Sequence, residues 1–390
     1  MIPPQVLVVR LFKSAFEMLS NVTRQFFDPQ RGGKLGLKRE LKEALELLTR
    51  LEESWSVRRL TEIDLSVVPP WLVEELAVAS RYEHSTHVAH LALIASLRLD
   101  LDPLLLSVSG LLHDVGCGPF PHISDELMRI FMGWEHPSNV KFVLEKSSDR
   151  ELSQLEEFGL DPSEVFDVIS GVHEYSPLIN GEIDVDNADN IYRYIATMPS
   201  LPLGEPLYRP LEIVLAMRFE GRKLEIEQEV KRRWAEDRDR IYSYLENHEG
   251  NIAAWVMLSR AMRLLMQELD ENFFLLTNKS AFSLFISRLP ELSRNLLDRK
   301  FLLLENLEMP ELNEDIRSLV TKDRADWTRI AELEEQIRSE LGLERWSFGL
   351  EILSSKSKPS WEEKKVWKLY LVSLHDDEKL RKTWRRYMGL

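Results

Sequence analysis

An imidazole beside a carboxylate, His113-Asp114, closes the apolar run from Leu104 to Leu112 in this chain of 390 residues. A carboxylate at the end of so hydrophobic a stretch is costly to bury unless something positive meets it. Neutral imidazole and ionised carboxylate together are natural metal donors. The plain alternative is a helix end with both side chains in water, and the dipeptide alone does not choose between them. Gly116 and Gly118 let the backbone turn after the pair, and Pro119 and Pro121 stiffen its exit.

The histidines around this pair are unusually dense. Six of the 9 lie between residues 84 and 136: His84, His87, His90, His113, His122 and His136. One core histidine is ordinarily just packed and hydrogen-bonded, but such a cluster points to metal or phosphate chemistry. His84 precedes Val88, Leu91, Ala92 and Ala95 at helical spacings, which places it on an inward face. His90 falls off that stripe and is expected to be exposed. His87, three residues from His84, can reach the same cavity from an adjoining face. A metal shared by His84 and the His113-Asp114 pair is the economical explanation. An acidic donor would complete it, and INGEIDVDNADN offers Glu182, Asp184, Asp186 and Asp189. Asp186 and Asp189 can share a helix face. An acidic first helical turn explains the same residues, and spacing alone leaves the two readings balanced.

The elements that must hold these residues read as mainly helical. Residues 35–54 form an amphipathic pattern, Pro69-Pro70 breaks the chain, and most of the chemistry sits in helices within 81–200. Residues 1–30 suggest a short strand and a helix. Alternating apolar residues predict a β-hairpin near 211–228, followed by a long helix from about Glu229 to Asn272. Residues 280–342 read as further helices. WSFGLEIL and VWKLYLVSL read as a pair of strands, and EKLRKTWRRYM as a closing helix docked through Leu380, Trp384 and Tyr387. The expected division is an N-terminal segment 1–70 packed on a core 71–275, a helical extension 276–342, and a small α+β region 343–390. A net charge of −15 argues against a surface that coats nucleic acid, and the single Cys117 excludes an internal disulfide framework. No apolar run approaches the roughly 20 residues that span a bilayer. A cytoplasmic location without membrane association is the expectation.

Four segments, RYEHSTHVAHLA, LLHDVGCGPFPHISDE, WEHPSNV and GEIDVDNAD, stand in an order that resembles the HD-domain phosphohydrolases. The likeness is greatest to the deoxynucleotide triphosphohydrolase branch, which includes the mammalian sterile-alpha-motif/HD restriction factor. It covers about residues 80–200 and extends weakly to about 265. The resemblance implies an HD-type helical core, which with the hairpin and terminal strands read above gives a mainly α fold with small β-hairpin appendages and a small α+β C-terminal region. It implies His84, His113, Asp114 and Asp186 as the metal ligands, and so selects Asp186 from the acidic segment. The metal would be Mn, Mg, Fe, Ni or Zn. His122, oriented by Asp125, would act at the scissile phosphate, with His136 as a second phosphate-facing histidine. Arg81 would contact phosphate, and His87 could take a phosphate oxygen or a second metal.

The departures from that family concentrate on sugar recognition. After Asp186 stand Asn187, Ala188, Asp189 and Asn190, where a basic residue and Asp-Tyr are usual. Arg193 is followed by Tyr194 instead of an acid, Cys117 replaces a common histidine, and Pro137 replaces a Glu. A site that loses such partners loses discrimination steeply. The expected activity is metal-dependent phosphohydrolysis of a nucleotide, with triphosphate release as the leading form. Phosphatase, phosphodiesterase or nuclease action is the first alternative, and a nucleotide-sensing subunit with weak turnover the second. A nucleotide substrate, single-stranded nucleic acid and a homo-oligomer are the expected partners.

Overall fold

The computed structural model describes residues 34–134, 136–147, 150–199, 202–220, 223–321, 324–356 and 365–390. The strand and helix expected in residues 1–30 lie outside them, as does most of the polar segment before the last strand.

Two helices position the candidate donors His84 and His113. Arg81–Leu99 begins at a reciprocal cap: the Ser80 hydroxyl accepts the Glu83 N–H, and the Glu83 carboxylate accepts the Ser80 N–H. This cap fixes the phase of the helix and so the direction of His84. Pro103–Leu112 follows directly, capped by Asp102, whose carboxylate accepts the Leu104 and Leu105 N–H groups. Pro103 costs nothing at the first helical position, where its missing N–H would have had no partner. The two helices meet at Gly110, where a Cβ would stand 3.2 Å from Ala89 Cα and 3.3 Å from Ala92 Cβ. Only a residue without a side chain allows that approach.

The acidic segment forms the helix Val185–Ala196, and its two first aspartates divide the work. Asp184 is the cap, accepting the Asn187 and Gly181 N–H groups at 2.6 Å each. Asp186 lies in the first turn, one step inside. The acidic helix start is thus realised at Asp184, while Asp186 stays open as a candidate metal donor.

The hairpin expected over 211–228 is shorter. Pro210–Ala216 is a helix, and only β1 (Met217–Glu220) and β2 (Lys223–Ile226) pair, with Met217 opposite Ile226. Pro210 at the first position and Glu212 in the first turn are helix-start signals that outweigh a short alternation. The long helix expected to about Asn272 is two, Gln228–Asn247 and Glu249–Leu265, followed by a tight turn of 3-10 helix at Glu271–Leu275. His248 breaks it by adopting extended backbone and accepting the Asn251 N–H on its own ring nitrogen.

Residues 280–342 are not helical throughout. After Asn278–Arg288 and Pro290–Leu297 comes β3 (Leu302–Met309), and after it the two-residue strands β4 (Val320–Thr321) and β5 (Arg324–Ala325). The expected terminal pair, β6 (Phe348–Lys356) and β7 (Lys365–Ser373), joins β3 in an antiparallel sheet ordered β3-β7-β6. The helix Glu378–Tyr387 closes the chain, with Leu380 and Trp384 buried as its docking face. The architecture is mainly α with small β parts. One apolar core lies under the histidine-bearing helices, with Val88, Leu106, Leu111 and Ile191 in it. A second joins Phe120, Met257 and Phe285 to Leu350, Leu369 and Trp384.

Buried charge ties the second core together. Arg263 donates to Glu334 at 2.8 Å and to Glu351 at 3.0 Å, and Arg260 also pairs with Glu334. The Leu350 N–H and carbonyl complete the set, bonding Glu334 and Arg263. The helix Glu249–Leu265 is thereby held against β6 and the helix Trp327–Leu341. Among the described residues no helix is long and apolar enough to cross a membrane.

Candidate metal centre and adjoining cavity

Three donor groups converge where the helices Arg81–Leu99, Pro103–Leu112 and Val185–Ala196 meet. One ligand atom each from His84, His113 and Asp186 lies within 4.8 Å of the others, a set that could hold a metal ion. Hydrogen bonds settle which ring nitrogens face the centre. His113 donates Nδ1–H to the Gly110 carbonyl at 2.8 Å, and its Nε2 is buried with no hydrogen-bond partner. A buried imidazole lone pair aimed at two carboxylates is what a cation site requires. His84, fully buried, donates Nδ1–H to Asp189 at 2.7 Å and turns Nε2 to Asp186 Oδ1 at 2.9 Å. Asp114 Oδ2 stands 3.5 Å from His113 Nε2 and 3.8 Å from His84 Nε2, close enough to serve as a fourth donor and the second carboxylate oxygen. Two imidazoles and two carboxylates suit a divalent first-row metal.

The electrostatics agree. Burial works against a charge on His84, yet Asp186 and Asp189 hold its imidazole up at about 9. The proton so favoured between two carboxylates marks a place for positive charge. Burial also raises Asp186, but His113 and His84 more than offset it and bring it below the usual carboxylate range. Asp189 is buried as well, and Arg193, His87 and His84 hold it well below that range.

Asp189 is the residue whose role spacing did not show. It receives His84, His87 and both bonds of Arg193, at 2.8 and 3.1 Å. It orients His84, one of the candidate donors. The Asp189/Arg193 pair at four residues' separation was the available signal. Two further groups without any sequence signal shape the loop after the histidine–aspartate pair. Arg59 donates to the Val115 and Cys117 carbonyls at 2.7 and 2.8 Å, and Asn139 to the Gly116 carbonyl at 2.9 Å. In that loop Phe120 and His122 adopt positive φ, 52° and 65°. Such strain in residues with side chains persists only where the surroundings impose it.

The remaining expected residues fall as follows. Arg81 is buried and donates to Asp114 Oδ2 at 2.8 Å, and it also lines the neighbouring cavity. His122 pairs with Asp125 at 3.2 Å and is 53% exposed at the cavity wall. His87 gives Nδ1–H to Asp189, which turns that nitrogen away from any phosphate. His136 opens the helix His136–Lys146, and its side chain lies outside the described part. His90 is half-buried, not exposed as expected. Cys117 is buried, with burial and Asp114 pushing its thiol well above the ordinary value, so it fills space as a neutral group.

Beside the centre lies a cavity of about 290 Å³, bounded by Arg81, His122, Tyr194, Tyr242, Trp255 and Tyr370 among others. Arg81 therefore stands between the cation donors and this space.

Residues 81–194 match the family model of the HD domain, the span that carries all four candidate donors. No curated protein matches the chain in sequence. Among solved structures, a hypothetical protein from Aquifex aeolicus superposes with a TM-score of 0.63 at 16% identity, covering 88% of this chain and 95% of that one. A phosphohydrolase from Bacteroides thetaiotaomicron superposes with a TM-score of 0.59 at 18% identity, covering 84% and 94%. The fold is shared along nearly the whole length of both.

Proposed function

We propose that this protein is a metal-dependent phosphohydrolase acting on a nucleotide, with triphosphate release from a (deoxy)nucleoside triphosphate as the leading form. The observation that carries the reading is the unpartnered His113 Nε2 facing Asp114 and Asp186, beside a cavity that Arg81 lines. The HD-domain match and the fold shared with a protein named a phosphohydrolase support it. A divalent metal held by His84, His113, Asp114 and Asp186 would supply Lewis acidity toward a phosphate oxygen. Arg81 binds and orients the phosphate from the cavity side. His122, with Asp125 fixing its ring, moves a proton at the rim.

A specific observation favours phosphatase or phosphodiesterase action as the second reading. Among the described residues lining the cavity, the cations are Arg81 and Lys368, and both are ion-paired. A triphosphate carries more charge than two committed cations neutralise, whereas a single phosphate does not.

The test is turnover of NTPs, dNTPs, monophosphates, cyclic nucleotides and single-stranded oligonucleotides with Mn, Mg, Ni, Fe or Zn. Released phosphate, pyrophosphate and triphosphate are resolved, and Asp186→Asn serves as control. That control is preferable to Asp114→Ala, which would strand the buried Arg81. Triphosphate absent in the variant supports the first form, and phosphate or cut strands the second. No release from any substrate sinks the hydrolase reading.

A further inference from the structure

The cavity is not walled by the HD-matching residues alone. Leu353, Ser354, Lys368 and Tyr370 reach it from β6 and β7, facing Tyr242 and Trp255 on the two helices after the hairpin. Its volume of about 290 Å³ lies at the small end of the roughly 300–1,000 Å³ range of ligand sites. Three aromatic side chains from three elements give flat faces for a planar guest. Tyr370 is buried in the sheet, while Tyr242 is 41% exposed at the mouth.

Two polar groups line the same cavity. Asn190 Oδ1 is buried with no hydrogen-bond partner, an acceptor that needs a donor. Lys368 is buried too. Its ammonium is held to Glu246 at 2.7 Å and to Glu308 at 3.1 Å. An ammonium has three N–H groups, so one remains to be given after these two pairs. Despite burial, Glu246 and Glu308 keep this lysine charged beyond its usual range. At the other end of the cavity Arg81 meets Asp114 of the cation centre.

We propose that this cavity is the base pocket of the substrate, with Tyr242, Trp255 and Tyr370 stacking a nucleobase and Asn190 and Lys368 reading its edge. The proposal rests on the nucleotide reading above and adds the residues that select the base. A nucleobase offers N–H donors to Asn190 and carbonyl or ring-nitrogen acceptors to Lys368 on one rigid planar edge, which a flexible aliphatic phosphate ester does not present. The sugar and phosphate then extend past Arg81 to the donors. The C-terminal sheet is, on this reading, a specificity element.

The test measures binding apart from turnover. Nucleosides, which carry no phosphate, are titrated calorimetrically into the full-length protein, and 2-aminopurine riboside is followed by fluorescence. The expected result is one site per chain, with 2-aminopurine quenched. Asn190→Ala and Lys368→Met are each expected to weaken nucleoside affinity about tenfold, with Lys368→Arg restoring most of it. Trp255→Leu is expected to abolish the quench. Unchanged melting temperatures in Asn190→Ala and Trp255→Leu separate these effects from misfolding. Nucleoside binding with no release of phosphate, pyrophosphate or triphosphate and no strand cleavage from any substrate leaves this proposal standing and removes the hydrolase reading. Release of phosphate from glycerol phosphate with no nucleoside binding overturns the proposal and leaves that reading intact. Nucleoside affinity unchanged in both Asn190→Ala and Lys368→Met also overturns it.

Discussion

His84 gives its Nδ1–H to Asp189 at 2.7 Å and thereby fixes which of its nitrogens faces the cation donors. An outer carboxylate of this kind holds ring orientation and raises ligand basicity, and its loss typically costs about 10–100-fold in metal affinity. The same carboxylate neutralises Arg193. Asp189→Asn is therefore expected to weaken Mn binding within that range, measured by competition with a metal-sensitive dye. It is also expected to lower stability by about 3 kcal/mol in urea melts, because a buried pair is broken. Full affinity in the variant would show that Asp189 does not orient His84.

Cation binding should be visible as stabilisation. A ligand present at ~100 times its dissociation constant adds about 2.7 kcal/mol to a folded state that alone binds it. Thermal melts with and without Mn, Ni or Zn are expected to show this gain. His113→Ala should lose it, since that variant removes the donor nitrogen that has no other partner. Metal content of the purified protein should fall in parallel. An equal shift in the variant would place the cation elsewhere.

Gly110 sets the spacing between the helices that carry His84 and His113. Overpacking such a contact costs roughly 1–3 kcal/mol. Gly110→Val is expected to lower stability by that amount and to weaken metal binding with it. Retained stability and affinity together would mean that the helices separate freely.

Glu52 ends the helix Lys34–Glu52 in a buried position, and burial pushes its carboxyl up to about 7. A helix C-terminus adds to the cost of its negative charge. An acid whose folded pKa is raised favours folding while protonated. Its contribution is fully present below the unfolded value and is lost as pH rises through about 7. The window is thus roughly pH 4.5 to 7. Glu52→Gln should flatten the fall in stability across that window and leave the variant more stable than the parent at pH 8, by at most about 3 kcal/mol. Parallel pH profiles of the two proteins would defeat this expectation.

How far the amino-acid sequence reveals these features depends on how local each one is. The phase of His84 is legible because its apolar neighbours Val88, Leu91, Ala92 and Ala95 repeat at helical spacing. β6, β7 and the closing helix were legible for the same reason. Local patterns could not decide between the aspartates of the acidic segment, because the cap and the donor are the same residue type two positions apart. The helix Pro210–Ala216 was taken into the hairpin because seven residues satisfy either periodicity. The break at His248 comes from a ring nitrogen capping the following turn, a role histidine seldom announces. β3 escapes a local reading because LLLENLEM is made of strong helix formers and its partner, β7, comes about sixty residues later in the chain. Arg59 and Asn139 act on carbonyls distant in sequence, which no spacing rule reaches.

The walls of the cavity have a consequence for the order in which the protein comes into being. Arg81 and Tyr370 face one space from nearly opposite ends of the described chain. Chains are made from the N-terminus and fold as they emerge. The helices bearing the cation donors therefore leave the ribosome well before β7, the central strand of its sheet, is available to either neighbour. For that interval the nascent chain holds the donors of a cation centre beside a cleft open on one side. If the cavity takes a base as proposed, the wall that Lys368 and Tyr370 form is in place only after the helices bearing the candidate donors.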